Sequence, residues 1–221
     1  MGDSEAVLRV ALITLAFFAI HSLPVTDRFK LLATRVIGSR IMRGWYRFSY
    51  TALSVLSLIA ALWFIIRTPD RHIYSFPYWA GWPMHGLQLL GLAFGYLSYR
   101  QLNSGEFTGS AQVRRYLGGE EPSGDMEGLT GGGLIRKGGY RVVRNPLYLA
   151  GIMVFAFEPN ITRSWLTVSV LSVMYFVWGA WIEQRRMLGR YGMEYRTYMR
   201  EVPMLIPRPA AMLRWLRQLW G

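Results

Sequence analysis

Five runs of apolar residues dominate the chain, and most polar residues lie between these runs instead of alternating within them. A bilayer core about 30 Å thick needs about 20 apolar residues in helical form to cross it. The pattern therefore predicts five transmembrane helices and an all-α integral membrane bundle. The runs cover residues 6–23, 48–66, 79–99, 147–157 and 165–182.

The fourth run is short for a membrane span. Residues 147–157 would rise only about 16 Å at 1.5 Å per residue, about half of the bilayer core. We therefore expect this helix to borrow length from its polar flanks, or to lie where the protein shields it from lipid. With the fifth run it forms a predicted hairpin that turns at Glu158–Asn160. A short, shielded helix is a candidate wall for a binding site.

Composition supports the membrane prediction. Hydrophobic residues make up 52% of the chain and charged residues 17%, against about a quarter charged in soluble domains. The chain has no cysteine, which excludes disulfides, thiolate metal sites and cysteine nucleophiles, and no zinc or P-loop spacing is present, so we expect no metal. The net charge of +12 suits nucleic acid, but no nucleic-acid motif accompanies it. Lipid headgroups are the expected partners of the basic residues, and nucleic acid is not.

The basic residues also predict orientation. Three segments (24–45, 100–146 and 183–221) carry twenty Lys and Arg, whereas the two alternate loops (67–78 and 158–164) carry three. Basic loops stay on the cytosolic side, so the N-terminus is predicted outside and the C-terminus in the cytosol. We expect a multi-pass protein of the bacterial cytoplasmic (inner) membrane.

The predicted organisation is one structural domain with three parts. Residues 1–99 form a three-helix membrane part, 100–146 a glycine-rich cytosolic loop that leads into a motif, and 147–221 a helical hairpin with a cytosolic tail. Between residues 105 and 139 lie eleven glycines. A loop this long and rich in glycine is either disordered or a mobile cover over a site.

The first chemically informative stretch is the start of the fourth predicted helix. Pro146 suits the first turn of a helix, and Asn145 is a favourable N-cap. A helix N-terminus presents free backbone N–H groups and a positive dipole end, to which Arg144 adds charge. This turn predicts an anion site for a carboxylate or a phosphate. Tyr148 and Gly151 follow on the same helix, where the small residue lets a flat ring approach the backbone.

The second informative stretch follows the fifth predicted helix. Glu183 lies where the apolar run ends, and it is predicted at the same membrane depth as Arg144. Tyr195 and Tyr198 are three residues apart and share a helix face. The segment Val202–Pro207 contains two prolines that break the helix. Taken singly, these features are typical of caps, solvated acids and interfacial anchors.

Together and in this order, the two stretches resemble the isoprenylcysteine carboxyl methyltransferase and phospholipid methyltransferase superfamily. That family has Arg-His-Pro-x-Tyr-x-x-Gly-like residues, a short helical hairpin, Glu-x-x-x-Leu, and Gly-x-x-Tyr-x-x-Tyr followed by Pro. The match covers about seventy residues of the chain, with Leu188 five positions after Glu183. The matching residues are Arg144, Pro146, Tyr148, Gly151, Glu183, Leu188, Gly192, Tyr195, Tyr198 and Pro207. Residues 17–22, 46–50 and 202–207 resemble in particular the NnrU and methanethiol S-methyltransferase branch. Asn145 stands where the family usually has histidine.

The resemblance implies an integral membrane methyltransferase that uses S-adenosyl-L-methionine at the cytosolic end of its last helices. Arg144 and the helix start would hold the cofactor carboxylate, and Glu183 its ammonium or a ribose hydroxyl. Tyrosine rings would lie near the adenine or the sulfonium, since an aromatic face favours positive charge. The implied cofactor-binding set is Tyr140, Arg144, Asn145, Tyr148, Gly151, Glu183, Arg186, Tyr195 and Tyr198.

The acceptor side is expected in the first three helices. A polar residue inside a span tends to face a cavity. His21, Tyr46 and Tyr50 are the catalytic candidates. His21 would deprotonate a thiol or an amine, although a structural hydrogen bond to Ser22 or a loop carbonyl suits it equally well. His85 and Gln88 are candidates on the substrate side, although they suit a bond between two helices equally well. The expected acceptor is a small thiol, an isoprenoid or prenylcysteine, or a phospholipid.

Two alternatives remain open at this point. Plant carotene isomerases resemble NnrU and use histidine-ligated haem, so His21 with His85 or His72 would be axial ligands in a membrane isomerase. The other alternative is a catalytically inactive membrane scaffold or lipid-binding protein that has kept the fold, and Asn145 is the residue that favours it. Titration with S-adenosylmethionine separates an enzyme from a scaffold, and a haem absorbance band would reveal the isomerase.

Overall fold

A computed structural model describes residues 2–120 and 133–220. Most of this part of the chain is helical. In order they are α1 (Asp3–Ser22), a 3-10 turn (Leu23–Val25), α2 (Asp27–Ile37), α3 (Ser39–Ile66), α4 (Tyr78–Tyr99), α5 (Ser104–Thr108), α6 (Ser110–Leu117), a second 3-10 turn (Gly138–Arg141), α7 (Pro146–Ala156), α8 (Arg163–Glu201) and α9 (Pro209–Trp220). Two short strands, β1 (His72–Ser75) and β2 (Asn160–Thr162), complete it.

The protein is an all-α membrane protein. Among the described residues, three helical segments are long and apolar enough to cross a bilayer: Asp3–Val25, Ser39–Ile66 and Arg163–Glu201. Only 6% of the most apolar window of α3 is buried inside the protein, so its apolar side chains face outward, as lipid contact requires. The other two predicted runs are also helical, as α4 and the 11-residue α7. The count of five spans and the orientation of the termini stay predictions.

The chain divides into two compact units, of which unit 1 comprises Met1–Pro69 and Leu102–Gly133. In it α1 packs on α3 through residues spaced four apart, Ala6, Val10 and Thr14, which form one helix face. A Cβ on Gly109 would lie 2.2 Å from a backbone atom of Phe48. Only glycine permits this close approach of the α5–α6 turn to α3.

Unit 2 comprises Asp70–Gln101 and Leu134–Gly221, and in it α7 lies between α4 and α8. Two glycines of α4 admit the neighbouring helix, since a Cβ on Gly91 would lie 2.7 Å from Met153, and one on Gly95 would lie 2.7 Å from Ala150. On the other side of α7, the ring of Phe176 packs on Gly151. The short helix is therefore flanked by protein on two sides, which explains how so short an apolar element fits into a membrane protein.

The two loops predicted to share the outer side meet in unit 2. β1 pairs with β2 in antiparallel fashion, with His72 opposite Thr162 and Ser75 opposite Asn160. Beside this pair, the Asp70 carboxylate accepts hydrogen bonds from the backbone N–H groups of Arg71 and Ser164, at 2.8 and 2.9 Å. The α7–α8 connection is therefore a turn followed by a strand, and not only the tight turn that the sequence predicted. Strands of three or four residues are too short to show an alternating pattern in the sequence, so their pairing across distant loops was not predicted.

The helix α8 bends at Gly192, which has φ 52° and ψ −119°. This left-handed conformation favours glycine, and it divides the helix into a long apolar segment and a short one that carries Tyr195 and Tyr198. Beyond it, α9 docks on unit 2 through Trp215, whose ring centroid lies 5.0 Å from that of Phe94. Val142 completes this small core.

Two regions predicted as loops contain helices. The basic segment after the first span forms α2, which Thr26 caps by accepting a hydrogen bond from the backbone N–H of Phe29. The glycine-rich segment contains α5 and α6, and Asn103 caps α5 in the same way at Glu106. Short polar helices of this kind escape a search for long apolar runs. The prediction of a disordered or covering loop otherwise concerns residues 121–132, which lie outside the described part of the chain.

Candidate cofactor and acceptor sites

The start of α7 is fastened to the segment that follows α8. The backbone N–H of Arg144 donates to Pro203 O at 2.9 Å, and that of Asn145 donates to Met204 O at 3.2 Å. The sequence predicted that the side chain of Asn145 caps the helix, but in the structure it forms no capping hydrogen bond. Instead its Nδ2 donates to Met204 O at 3.3 Å. Asn145 thus joins the two halves of the motif, and Pro146 occupies the first turn as expected.

The Arg144 side chain is directed into the protein with hydrogen-bonding capacity to spare. Its guanidinium carbon lies 5.7 Å from the centroid of the Tyr195 ring, and the group interacts with the Tyr195 hydroxyl. Its Nε and Nη1 atoms are buried, yet neither has a hydrogen-bond partner within residues 2–120 and 133–220. Buried donors of a charged group are costly to leave unpaired. The arrangement fits an anionic ligand with two acceptor oxygens.

Glu183 supplies the acidic side of the same cluster. Its side chain is 19% exposed and accepts a hydrogen bond of 3.2 Å from Arg186. Tyr195 lies within electrostatic range of both Arg144 and Glu183. Burial, together with the charge of Glu183, raises the pKa of Tyr140 to about 12. The Tyr195 hydroxyl therefore feels both the positive charge of Arg144 and the negative charge of Glu183.

A cavity of about 380 Å³ opens beside this cluster. The hydroxyl of Tyr198 donates to the backbone carbonyl of Tyr140, which fixes the Tyr198 ring against this turn. Arg136 lies over the Tyr198 ring, 5.1 Å from its centroid, and pairs with Glu201. The cavity is lined by Arg136, Tyr140, Arg141, Tyr198, Glu201 and Val202.

Tyr148 and Gly151 contribute to the packing of α7 on α8. A Cβ on Gly179 would lie 3.6 Å from the Tyr148 ring, so this ring covers Gly179. The flat ring that approaches Gly151 belongs to Phe176, whose atoms lie within 2.6 Å of the position of a Cβ there. In this structure Gly151 therefore holds two helices together.

His85 and Gln88 join two helices of unit 2. Nδ1 of His85 lies 2.8 Å from Oε1 of Gln88. The Gln88 amide donates to the backbone carbonyl of Val154 at 2.9 Å and to Glu158 at 3.3 Å. This network connects α4 to the end of α7, which is the structural alternative that the sequence left open for the pair.

The three catalytic candidates of unit 1 lie together where α1 meets α3. Nδ1 of His21 lies 3.1 Å from the Ser54 hydroxyl, and its Nε2 lies 3.0 Å from the Tyr50 hydroxyl. The rings of Tyr46 and Tyr50 are stacked with centroids 6.4 Å apart. The hydroxyl of Tyr46 donates to Pro24 O at 2.6 Å.

A buried arginine adjoins these residues. Arg47 is 9% exposed, and its guanidinium carbon lies 5.3 Å from the Tyr50 ring centroid. Its Nε donates to the backbone carbonyl of Phe107 in α5. The cluster therefore combines a histidine, a phenol and a buried cation.

Comparison with curated proteins identifies the family. A methanethiol S-methyltransferase of Pseudomonas sp. strain GM41 is 30% identical over 92% of this chain and 74% of its own length. The chain belongs to the methanethiol S-methyltransferase family. Methanethiol S-methyltransferase 1 of Bradyrhizobium diazoefficiens is 28% identical over 93% of this chain and 68% of its own length. The methanethiol S-methyltransferase of Mycobacterium tuberculosis is 26% identical over 90% of this chain and 78% of its own length. No family model and no solved structure matches the chain.

Membership in the methanethiol S-methyltransferase family confirms the resemblance drawn from the motifs. The geometry adds residues that the motif comparison omitted: Arg136, Arg141 and Glu201 line the cavity. Arg136 and Arg141 precede the Arg-Asn-Pro motif by a few positions, and Glu201 ends α8. Only their closeness to Tyr140 and Tyr198 in space reveals them, because nothing in their spacing indicates a shared site.

The histidines relevant to the haem hypothesis are each engaged in hydrogen bonds. His72 Nε2 lies 2.8 Å from the Ser75 hydroxyl, His85 contacts Gln88, and His21 contacts Ser54 and Tyr50. In the part of the chain that the structure describes, no group of three or more His, Asp or Glu side chains suits a metal ion. The family membership instead favours methyl transfer.

Proposed function

We propose that this protein is an integral membrane S-adenosylmethionine-dependent methyltransferase that methylates a small thiol. The observation that carries the proposal is the Arg144 guanidinium, with two buried donors and an acidic neighbour at Glu183. The cofactor has a carboxylate and an ammonium on one carbon, so it matches a site with one cation and one anion. When bound, it supplies a methyl group activated by a sulfonium.

Unit 2 contributes the cofactor-binding residues. Arg144, with the N–H groups that begin α7, binds the carboxylate through charge-assisted hydrogen bonds. Glu183, held by Arg186, accepts from the ammonium or a ribose hydroxyl. Aromatic faces favour the positive sulfonium, and Tyr195 and Tyr198 present such faces, with ring centroids 5.8 Å apart.

Asn145 preserves the turn despite replacing the histidine usual in the motif. Its amide N–H donates to Met204 O, a bond that needs only a donor and no titratable proton. The substitution therefore leaves the anchoring of the turn intact. This argues for a functional cofactor site and against the inactive scaffold.

Unit 1 contributes the acceptor-side residues. A thiolate is the nucleophilic form of a thiol, and we assign its deprotonation to His21. Tyr50 orients the imidazole through its hydroxyl. Arg47 stands beside the Tyr50 ring as a buried positive charge, which favours an anionic acceptor at low dielectric. A small thiol is the acceptor class that suits this set, in keeping with the names of the relatives.

The membrane arrangement we propose has five spans, an outer N-terminus and a cytosolic C-terminus, in the bacterial inner membrane. The β1–β2 pair supports it, because it joins the two loops with few basic residues. The bond from Arg144 N–H to Pro203 O likewise joins two basic segments. Cysteine accessibility on either side of the membrane tests the orientation: residues introduced next to β1 should react only from outside.

The decisive experiment measures cofactor binding and turnover separately. The full chain, purified in detergent, is titrated with S-adenosylmethionine and then supplied with labelled cofactor and methanethiol. Saturable binding with transfer of label to the thiol supports the proposal. His21→Ala should lose turnover but retain cofactor binding. Trp63→Ala, which lies further along α3 than the residues that contact His21, serves as the control and should keep both. Absence of saturable binding in the wild type would leave only the scaffold interpretation.

A further inference from the structure

The hydroxyl of Tyr191 is an unexplained polar group next to the proposed cofactor site. Its oxygen is buried, and no residue in the described ranges hydrogen-bonds to it. The neighbouring tyrosines differ in this respect: Tyr198 donates to a backbone carbonyl and Tyr195 interacts with Arg144. The Tyr191 ring packs against the cluster formed by these two tyrosines and Val202.

A role in packing alone does not account for this hydroxyl. Phenylalanine would place the same ring against the same cluster without burying a group that has lost its hydrogen bonds to water, and such a group costs stability. A buried hydroxyl of this kind calls for a partner outside the polypeptide. Tyrosine is able to serve as donor or acceptor.

The position of Tyr191 on α8 indicates which part of a ligand it meets. Glu183, Met187 and Tyr191 follow one another at intervals of four, so they lie on one face of the helix before the bend at Gly192. Eight residues separate the first from the last, a rise of about 12 Å. The proposed site already assigns the carboxylate and the ammonium of the cofactor to Arg144 and Glu183. The Tyr191 hydroxyl is therefore available for the uncharged nucleoside half of the cofactor.

We propose that Tyr191 is a further cofactor-binding residue, whose hydroxyl hydrogen-bonds the nucleoside half of S-adenosylmethionine. This inference rests on the proposed function. It assigns specificity for the nucleoside to a residue outside the matched motif positions, which include Gly192 at the bend and Tyr195 after it but not Tyr191. The contact is with the ribose or the adenine edge, both of which present neutral donors and acceptors.

The test uses the full chain in detergent with two probes. S-adenosylhomocysteine carries both halves of the cofactor, whereas 5′-methylthioadenosine lacks the amino-acid half. Tyr191→Phe should weaken binding of both probes by about three- to tenfold, the value of one hydrogen bond. Arg144→Ala should weaken only S-adenosylhomocysteine. The melting temperature of the unligated Tyr191→Phe protein should equal or exceed that of the wild type.

A matched control removes a hydroxyl elsewhere in unit 2. Tyr96 is 62% exposed, and Tyr96→Phe should leave both affinities unchanged. Unaltered binding of 5′-methylthioadenosine to Tyr191→Phe would overturn the assignment, as would a lowered melting temperature of the unligated variant, which would mark the hydroxyl as structural. If the wild type binds neither probe, the proposed function itself fails, and this inference with it.

Discussion

Replacing Arg144 with alanine removes the cation to which we assign the cofactor carboxylate. The change spares the local backbone, because the turn is held by main-chain bonds from residues 144 and 145 to the segment after α8. It also removes two buried donors, Nε and Nη1, that bond to no described residue. Because the substitution also removes the contact with Tyr195, folding is measured alongside ligand binding.

The expected loss follows from the two hydrogen bonds. Hydrogen bonds to charged groups contribute about 1.5–3 kcal/mol each, and partial access of water to the site reduces the total. We expect a loss of at least about 1.4–3 kcal/mol, which is a ten- to 150-fold increase in Kd for S-adenosylhomocysteine. The Kd of Arg144→Lys should fall between those of the wild type and Arg144→Ala, since an ammonium keeps the charge but lacks the planar set of donors.

Calorimetric titration of the detergent-solubilised protein measures these affinities, with the melting temperature as a measure of folding. Arg196→Ala is the matched control: it removes an equal charge from an exposed position on α8 and should leave Kd within about twofold. The unligated Arg144→Ala protein should melt within about 3 °C of the wild type. Wild-type affinity in Arg144→Ala would refute the carboxylate assignment and the pocket built on it.

Three further outcomes are expected. Gly151→Ala places a Cβ 2.6 Å from an aromatic carbon of α8 and should destabilise the protein by about 1–3 kcal/mol. Gly189→Ala has open space around its Cβ and should stabilise the protein by about 0.5–1 kcal/mol. Thermal melting of the two variants measures both effects. Tyr140, whose pKa burial and Glu183 raise to about 12, keeps its proton in the folded state after the unfolded chain has lost it. Stability should therefore fall from pH 10 to pH 12, and less steeply in Tyr140→Phe, as melting across this range would show. Asn145→Ala loses the bond from its amide and should lower the melting temperature by about 2–4 °C; an unchanged value would contradict its anchoring role.

Much of the fold follows from local signals in the sequence. The five predicted runs are all helical in the structure, because apolar runs bounded by polar residues form helices wherever water cannot satisfy the backbone. Pro146 starts α7 for reasons confined to its own ring. The family resemblance rested likewise on residues at short, fixed intervals within residues 144–207.

The fine structure of the site escaped such signals. Asn145 has the side chain of a helix cap, yet its amide bonds to Met204, because the segment after α8 offers a carbonyl there. Gly151 adjoins an aromatic ring as expected, but the ring is Phe176 of the protein itself. Which partner a polar or small residue takes depends on the chain that packs against it.

The sequence by itself determined an all-α membrane protein, its helical runs and its kinship with methanethiol S-methyltransferases, since these depend on composition and short-range spacing. Only the tertiary structure decided that Arg144, Glu183 and Tyr195 share one location, and that the hydroxyl of Tyr191 is buried beside them without a partner in the described chain. Contacts between residues far apart in the sequence are set by helix packing and by the bend at Gly192. These contacts stabilise the site only where the packed helices exclude water.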